Sequence, residues 1–127
     1  MVRISPQLNL LIEAAKRGDQ DYVSTHIQEH IDHRDVDWVM GRGLNSYEKD
    51  VRGLAAMILA KSSVPLTLND RNRLMFFMGD DSYCVVGYRL AIALHKRDDR
   101  SPQVLAKLDE AIKDVEHGEL VRAYLKK

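Results

Sequence analysis

A short segment recurs in the chain at a fixed interval of 35 residues, beginning at Val51, Val86 and Val121. The first two copies, VRGLAAMIL and VGYRLAIAL, share small and branched apolar residues at matching positions. A fixed period of roughly 20–50 residues is typical of repeat arrays, in which each unit buries its apolar side against the next unit. The interval therefore predicts a stack of similar units, an architecture that usually provides a binding surface.

Apolar residues recur at helical spacing along the chain, and no stretch shows sustained strand alternation. Ser5, Thr67 and Ser101 are typical helix caps, and the first and last of them precede a proline. Asn45, followed three residues later by Glu48, has the spacing of a capping box and predicts a helix start there. We therefore expect an all-α fold of about eight helices in four antiparallel pairs, over residues 5–17 and 20–33, 35–43 and 45–62, 67–78 and 82–97, and 101–115 and 118–126.

The composition predicts a globular chain without a bulk charge. The sequence has 19 Lys and Arg against 19 Asp and Glu, so no general attraction to nucleic acid or to a membrane surface is expected. No apolar run approaches the roughly 18 residues that would span a bilayer, and the N-terminus lacks a signal-peptide pattern. Cys84 is the single cysteine and has no intramolecular partner for a disulfide. We therefore expect one domain over residues 1–127, located in the cytoplasm, where thiols stay reduced.

The first copy, Asp50-Val51-Arg52-x-x-Ala55-Ala56-x-x-Leu59, resembles the inner helix of HEAT repeats, in particular the short phycobilisome-lyase-like subtype. The second copy keeps its valine, an alanine and the final leucine, but has Gly87 where the pattern has arginine. The third copy keeps Val121-Arg122 and then departs from the pattern. The resemblance covers about residues 46–127. Tetratricopeptide arrays have a similar period, but their Trp, Leu-Gly and Tyr signature positions are missing here.

Similarity to the HEAT family implies a short α-solenoid whose concave face is lined by the second helix of each pair, with a divergent N-terminal helix pair at about residues 5–44. A scaffold of this kind implies a non-enzymatic module that binds another protein or a peptide, without a cofactor. The side chains expected to make its polar contacts are Arg52, Arg89, Lys96 and Arg122. The end of the array lies near the C-terminus, so a homodimer through that end is a further expectation.

Basic residues on the second helices leave two alternatives open. HEAT-like DNA alkylation-repair enzymes bind nucleic acid in a groove of this general form, so backbone binding is one alternative, and a lyase-like enzyme on the same scaffold is the other. The balanced net charge weighs against nucleic acid. A phosphate binder would lose affinity steeply as the salt concentration rises, which distinguishes it from a protein binder.

His26 and His30 lie one helical turn apart, with Glu29 before the second histidine, and match the letters of a zinc-protease motif. Two imidazoles at this spacing can bind zinc, but a catalytic zinc needs a third protein ligand. That family takes this ligand from a Glu far downstream, and no Glu lies at the required distance here; Glu110 comes nearest to it and is out of register. The pair is therefore interpreted as a polar border of an apolar helix face, with a structural metal site as the alternative.

Overall fold

A computed structural model describes residues 5–27 and 33–126, and this part of the chain is all α-helical, as the sequence predicts. A 3-10 helix, Gly43–Asn45, lies between the third and fourth α-helices. None of the helices in these ranges is long and apolar enough to cross a membrane. The α-helices found there are α1 Pro6–Lys16, α2 Gln20–His26, α3 His33–Gly41, α4 Lys49–Lys61, α5 Leu68–Asp80, α6 Cys84–Lys96, α7 Pro102–Lys113 and α8 Glu119–Leu125.

The helices that contain the recurring segment start at the same 35-residue interval as the segment itself. Helices α4, α6 and α8 begin at Lys49, Cys84 and Glu119, which are again 35 residues apart. The recurring valine is the third residue of each of these helices, and it is buried in all three. Equal positions in the sequence therefore occupy equal positions in a helix, and they meet a similar apolar environment.

The two complete repeat helices are buried along most of their length. Nine residues of α4 and nine of α6 are buried, whereas α5 buries two and α7 buries three. The alanines of the recurring segment are fully or almost fully buried, as expected of positions where a small side chain allows close packing. The sequence prediction that this segment forms core is confirmed.

The chain divides into two compact units, Met1–Val64 and Pro65–Lys127. In the first unit α1 packs against α2 and α4, while α3 and the 3-10 helix pack against α4. In the second unit α6 contacts α5, α7 and α8. The single domain predicted over residues 1–127 stays a prediction.

Gly43 explains why the chain makes a tight 3-10 turn after α3. A Cβ atom at this position would lie 2.7 Å from the Cβ of Ala55 and 2.8 Å from the Trp38 ring. Only glycine therefore allows the turn to pass between the indole and α4. Trp38 and Met40 are core side chains, whereas Tyr47 in the following loop is fully exposed.

Several predicted helix boundaries are corrected. The helix predicted to start at Asn45 starts at Lys49, because Asn45 belongs to the 3-10 turn and the segment after it is extended at Ser46. Glu48 occupies the N-cap position, so the predicted capping box does not form. The helix predicted over residues 20–33 is described as far as His26, and a separate helix begins at His33. Three α-helices therefore lie within residues 5–44, at about the places predicted for helices over 5–17, 20–33 and 35–43.

The caps predicted at Ser5 and Thr67 are confirmed. The Ser5 hydroxyl accepts a hydrogen bond from the Leu8 amide at 3.0 Å, and the Thr67 hydroxyl accepts one from the Asp70 amide at 3.1 Å. Ser101 also occupies an N-cap position, but its hydroxyl donates to Asp99 instead. Each residue thus marks a helix start, although only the first two satisfy a helix amide through the side chain.

Two helices end in the same left-handed turn with different residues. After α1, Gly18 has a φ of 76° and its amide donates to Ala15, while after α6, Asp98 has a φ of 68° and its amide donates to His95. The residue following each one donates to a carbonyl one position earlier, which completes a Schellman motif. Glycine adopts this conformation without steric cost, whereas aspartate is strained there.

We expect Asp98→Gly to increase the free energy of unfolding by about 0.5–1 kcal/mol, because it removes the Cβ from a left-handed backbone position. The exposed pair between Asp98 and Arg100, at 3.9 Å, would be lost at little cost. Urea denaturation followed by circular dichroism measures the change. Gly18→Ala is the matched control, and it should lower stability by about 1 kcal/mol. A less stable Asp98→Gly variant would contradict this interpretation.

Candidate functional site

Arg52 holds the loop that precedes its own helix. It lies on α4 directly after the recurring Val51, and its Nη1 donates to the carbonyl oxygens of Ser46 at 2.9 Å and Tyr47 at 3.1 Å. The Ser46 hydroxyl accepts from the Glu48 amide at 3.1 Å, so the same turn is closed a second time. A charged donor that satisfies two carbonyls outside a helix stabilises the start of that helix.

Arg122, two repeats later, also donates to backbone carbonyls that precede its helix. It follows Val121 on α8, and its Nη1 donates to the carbonyl oxygens of Asp114 at 2.8 Å and Ile112 at 3.3 Å. Arg52 and Arg122 are therefore equivalent in sequence, and each guanidinium binds carbonyls that precede its helix, in the loop for Arg52 and at the end of α7 for Arg122. We call these two residues the loop arginines.

The second copy has Gly87 at the equivalent position, and the backbone of α5 occupies the space that a side chain would fill. A Cβ on Gly87 would lie 2.9 Å from the carbonyl oxygen of Met78, near the end of α5. Only three residues, Asp81 to Tyr83, connect α5 with α6. The departure from the repeat at Gly87 therefore lets the end of α5 pack directly on α6, where an arginine side chain has no room.

Arg89 and Lys96 are the two predicted contact residues that lie on one helix. They are seven residues apart on α6, which places them on the same side of it, and both are half-buried. Both lie in the second unit, as does Arg122, whereas Arg52 belongs to the first unit. We call Arg89 and Lys96 the α6 basic pair.

Arg97, another basic residue at the end of α6, is also engaged with backbone. Its Nη1 donates to the Ala93 carbonyl at 2.9 Å, and its own carbonyl accepts from Nη2 of Arg71 at 3.4 Å. Burial, reinforced by the positive charge of Arg71, lowers the pKa of Arg97. Arginine side chains thus bind carbonyl oxygens at the C-terminal end of α6, as expected at a helix C-terminus.

Two side-chain pairs that sequence reasoning missed join α6 to later parts of the second unit. The Tyr88 hydroxyl donates to Oδ2 of Asp114 at 2.7 Å, and Nδ1 of His95 shares a 2.7 Å hydrogen bond with the Tyr124 hydroxyl. The His95 and Tyr124 rings also meet edge to face at 5.6 Å. The partners are 26 and 29 residues apart, so no local pattern reveals them.

Asp114 is the centre of the turn between α7 and α8. Its Oδ1 accepts from the amides of Glu116 and His117, in addition to the Tyr88 bond on Oδ2. These hydrogen bonds, with that of Tyr88 the largest, lower the pKa of Asp114. Burial and the same hydrogen bond raise the pKa of Tyr88, so the phenol stays protonated as a donor. Gly118 completes the turn, because a Cβ there would collide with the Ala111 carbonyl.

Cys84, at the first position of α6, is half-exposed. Burial raises the pKa of its thiol, and the negative charge of Asp114 raises it further. A raised pKa leaves little thiolate at neutral pH, which is the opposite of what a nucleophilic or redox-active cysteine requires.

The predicted histidine pair is described only in part. The His26 ring lies against the ring of Tyr22, with centroids 4.3 Å apart and an angle of 39° between the planes. His30 lies outside the described residues. Within residues 5–27 and 33–126, no group of three or more His, Cys, Asp or Glu side chains is arranged to hold a metal ion. The metal-site alternative for His26 and His30 stays a prediction.

We expect Arg52→Met and Arg122→Met each to lower the free energy of unfolding by about 1 kcal/mol, since methionine keeps an apolar stem but leaves these backbone carbonyls without their donor. Urea denaturation measures the loss. Lys16→Met is the control, because Lys16 forms an exposed pair with Glu13 on its own helix, which is worth about 0.5 kcal/mol or less. Equal effects of all three substitutions would argue against a special role for the loop arginines.

We expect stability to fall on acidification in two steps. Burial, with the charge of Arg100, lowers the pKa of His95 below its ordinary 6.5, so the unfolded chain takes up its proton first and stability declines as the pH falls below about 6.5. The lowered pKa of Asp114 has the same sign, and its contribution is lost below about pH 3.8. Unfolding measured from pH 8 to pH 3 should show both steps. His95→Gln should remove the step near pH 6.5. If the pH dependence of stability stays unchanged in this variant, the step does not come from His95.

Comparisons with known proteins identify no relative. No family model matches the chain, and neither the curated proteins nor the solved structures give a significant match. The function is therefore argued from the contacts of the chain itself.

Proposed function

We propose that the chain is a short HEAT-type α-solenoid that binds another protein without catalysing a reaction. The observation that carries this proposal is the common register of α4, α6 and α8, which start 35 residues apart with the recurring valine buried at the same position. Repeated helices with equivalent buried positions are what a stacked array requires. Arrays of this kind function through extended surfaces rather than through one enclosed pocket.

The antiparallel pairing of consecutive helices is part of the proposal. Three residues connect α5 with α6, and five connect α7 with α8. Connections this short favour antiparallel neighbours. The contacts of α5 with α6, and of α7 with α8, agree with such pairs.

We place the partner contact at the α6 basic pair, Arg89 and Lys96. Most of α6 is buried, and these two positions are among the few on the helix that keep access to solvent and carry a positive charge. The expected partner surface is acidic, because opposite charges steer association and select the partner. The cytoplasm remains the proposed compartment, on the basis of the single cysteine.

The test compares a charge-reversed chain with the native one. Arg89→Glu/Lys96→Glu should recover the partner from native cell extract poorly, and the partner, once purified, should bind the variant about tenfold more weakly. The matched control is Lys16→Glu/Arg17→Glu, which reverses two exposed charges that pair only with Glu13 and Asp19 in the ion pairs found. Circular dichroism confirms that each variant is folded.

Equal binding by the native chain and the α6 variant would remove the proposed surface. Recovery that disappears after nuclease treatment, with a steep loss of affinity at higher salt, would favour nucleic-acid backbone binding instead. The design avoids Arg52, since reversing its charge would disturb the loop before α4 and confuse folding with binding.

A further inference from the structure

Helix α7 has an exposed apolar flank on one side only. Its buried residues, Val104, Leu108 and Ala111, define the side that packs on the rest of the second unit. Leu105 and Ile112 lie seven residues apart and therefore on the same side of the helix, and they are 45% and 42% exposed. Val115, just past the end of α7, is 88% exposed. We call Leu105 and Ile112 the open flank.

The open flank faces away from α5. The aliphatic stem of Lys107 lies 3.7 Å from the position of a Cβ on Gly87, and the same position is 2.9 Å from the Met78 carbonyl of α5. The side of α7 that carries Lys107 is therefore the side near the end of α5. At about 100° per residue, Leu105 and Ile112 lie roughly 140–160° around the helix from Lys107, across the buried strip. They occupy the side on which a further helix would lie.

Helix α8 gives independent support from the repeat. Leu125 is the equivalent of Leu90 in α6 and of Ala55 in α4, since each is 35 residues from the next. The two earlier residues are fully buried, whereas Leu125 is 40% exposed. Within the second unit, α6 is covered by α7 and α8, which follow it. The third copy thus keeps a leucine at a position that the earlier copies bury, and in α8 this leucine is partly exposed.

We propose that a second copy of the chain covers the open flank, with α7 packing antiparallel against α7 of its partner about a two-fold axis. Asp109 and Lys113, which form a 3.0 Å ion pair, lie beside the open flank. An axis near residue 111 places Ile112 against the partner's Ile112. It also brings Asp109 of each copy to the Lys113 of the other. Two ion pairs within chains are then exchanged for two between chains, so the charged border does not repel a second copy.

This occupant fits the chemistry of the flank better than an unrelated charged surface. The flank is aliphatic, and the Asp109–Lys113 pair beside it carries both signs of charge, which is self-complementary under two-fold symmetry. A contact of a few partly exposed side chains is smaller than the ~1,600 Å² of a standard stable interface, so we expect a dissociation constant in the micromolar range. The proposal depends on α7 and α8 and is independent of the partner contact assigned to α6.

Sedimentation velocity of the full chain from about 5 to 500 μM tests the proposal. We expect a concentration-dependent shift from monomer to dimer, lost in Ile112→Lys. Phe76→Lys is the matched control, because Phe76 is a 63% exposed apolar residue on α5 and lies outside the open flank. It should dimerise like the native chain, and circular dichroism verifies that both variants are folded.

A charge swap tests the arrangement. Asp109→Lys alone should weaken the dimer at least fivefold, because it places like charges across the axis, and Asp109→Lys/Lys113→Asp should restore it. A chain that stays monomeric throughout, a dimer that survives Ile112→Lys, or a double variant that remains as weak as the single one would overturn the proposal.

Discussion

Burial of the apolar face of α6 is the interaction on which the second unit depends. The helix contributes nine buried residues, and α5, α7 and α8 all contact it. The terminal helix α8 buries only Val121, so it has little stability of its own and requires α6 as a surface. The same dependence explains the two long-range hydrogen bonds, since Tyr88 and His95 both lie on α6 and reach Asp114 and Tyr124 in later segments.

Tight packing of helices leaves a problem at their ends, where backbone carbonyls lack helical partners. One position of the repeat serves two different needs: an arginine donates to such carbonyls in the first and third copies, and a glycine allows close packing in the second. Arg52 and Arg122 donate to carbonyls that precede their helices, whereas Gly87 removes the side chain and lets the end of α5 approach α6. Arg52 and Arg122 look like surface charges in the repeat pattern, but their guanidinium groups bind backbone carbonyls of the chain.

The helical part of the fold was predictable because helix periodicity and caps are local properties. Ser5 and Thr67 cap the helices that their sequence context indicates, and the 35-residue recurrence predicts which valines are buried. The start of α4 was not predictable, because Asn45 and Glu48 have the spacing of a capping box. The tight turn at Gly43 depends on the Trp38 ring and Ala55, which are not neighbours in sequence. The candidate site was predicted in part: the charged positions were found, but not which of them bind backbone.

The sequence by itself determined the all-α class, the repeat interval and the core positions of the first two copies, because each follows from the spacing of apolar residues along one helix. Only the tertiary structure decided the roles of the polar residues. Whether an arginine, a tyrosine or an aspartate faces solvent or a carbonyl depends on segments up to 29 residues away. Hydrogen bonds require partners within about 3 Å, and such distances are set by the packing of helices against one another rather than by the order of residues.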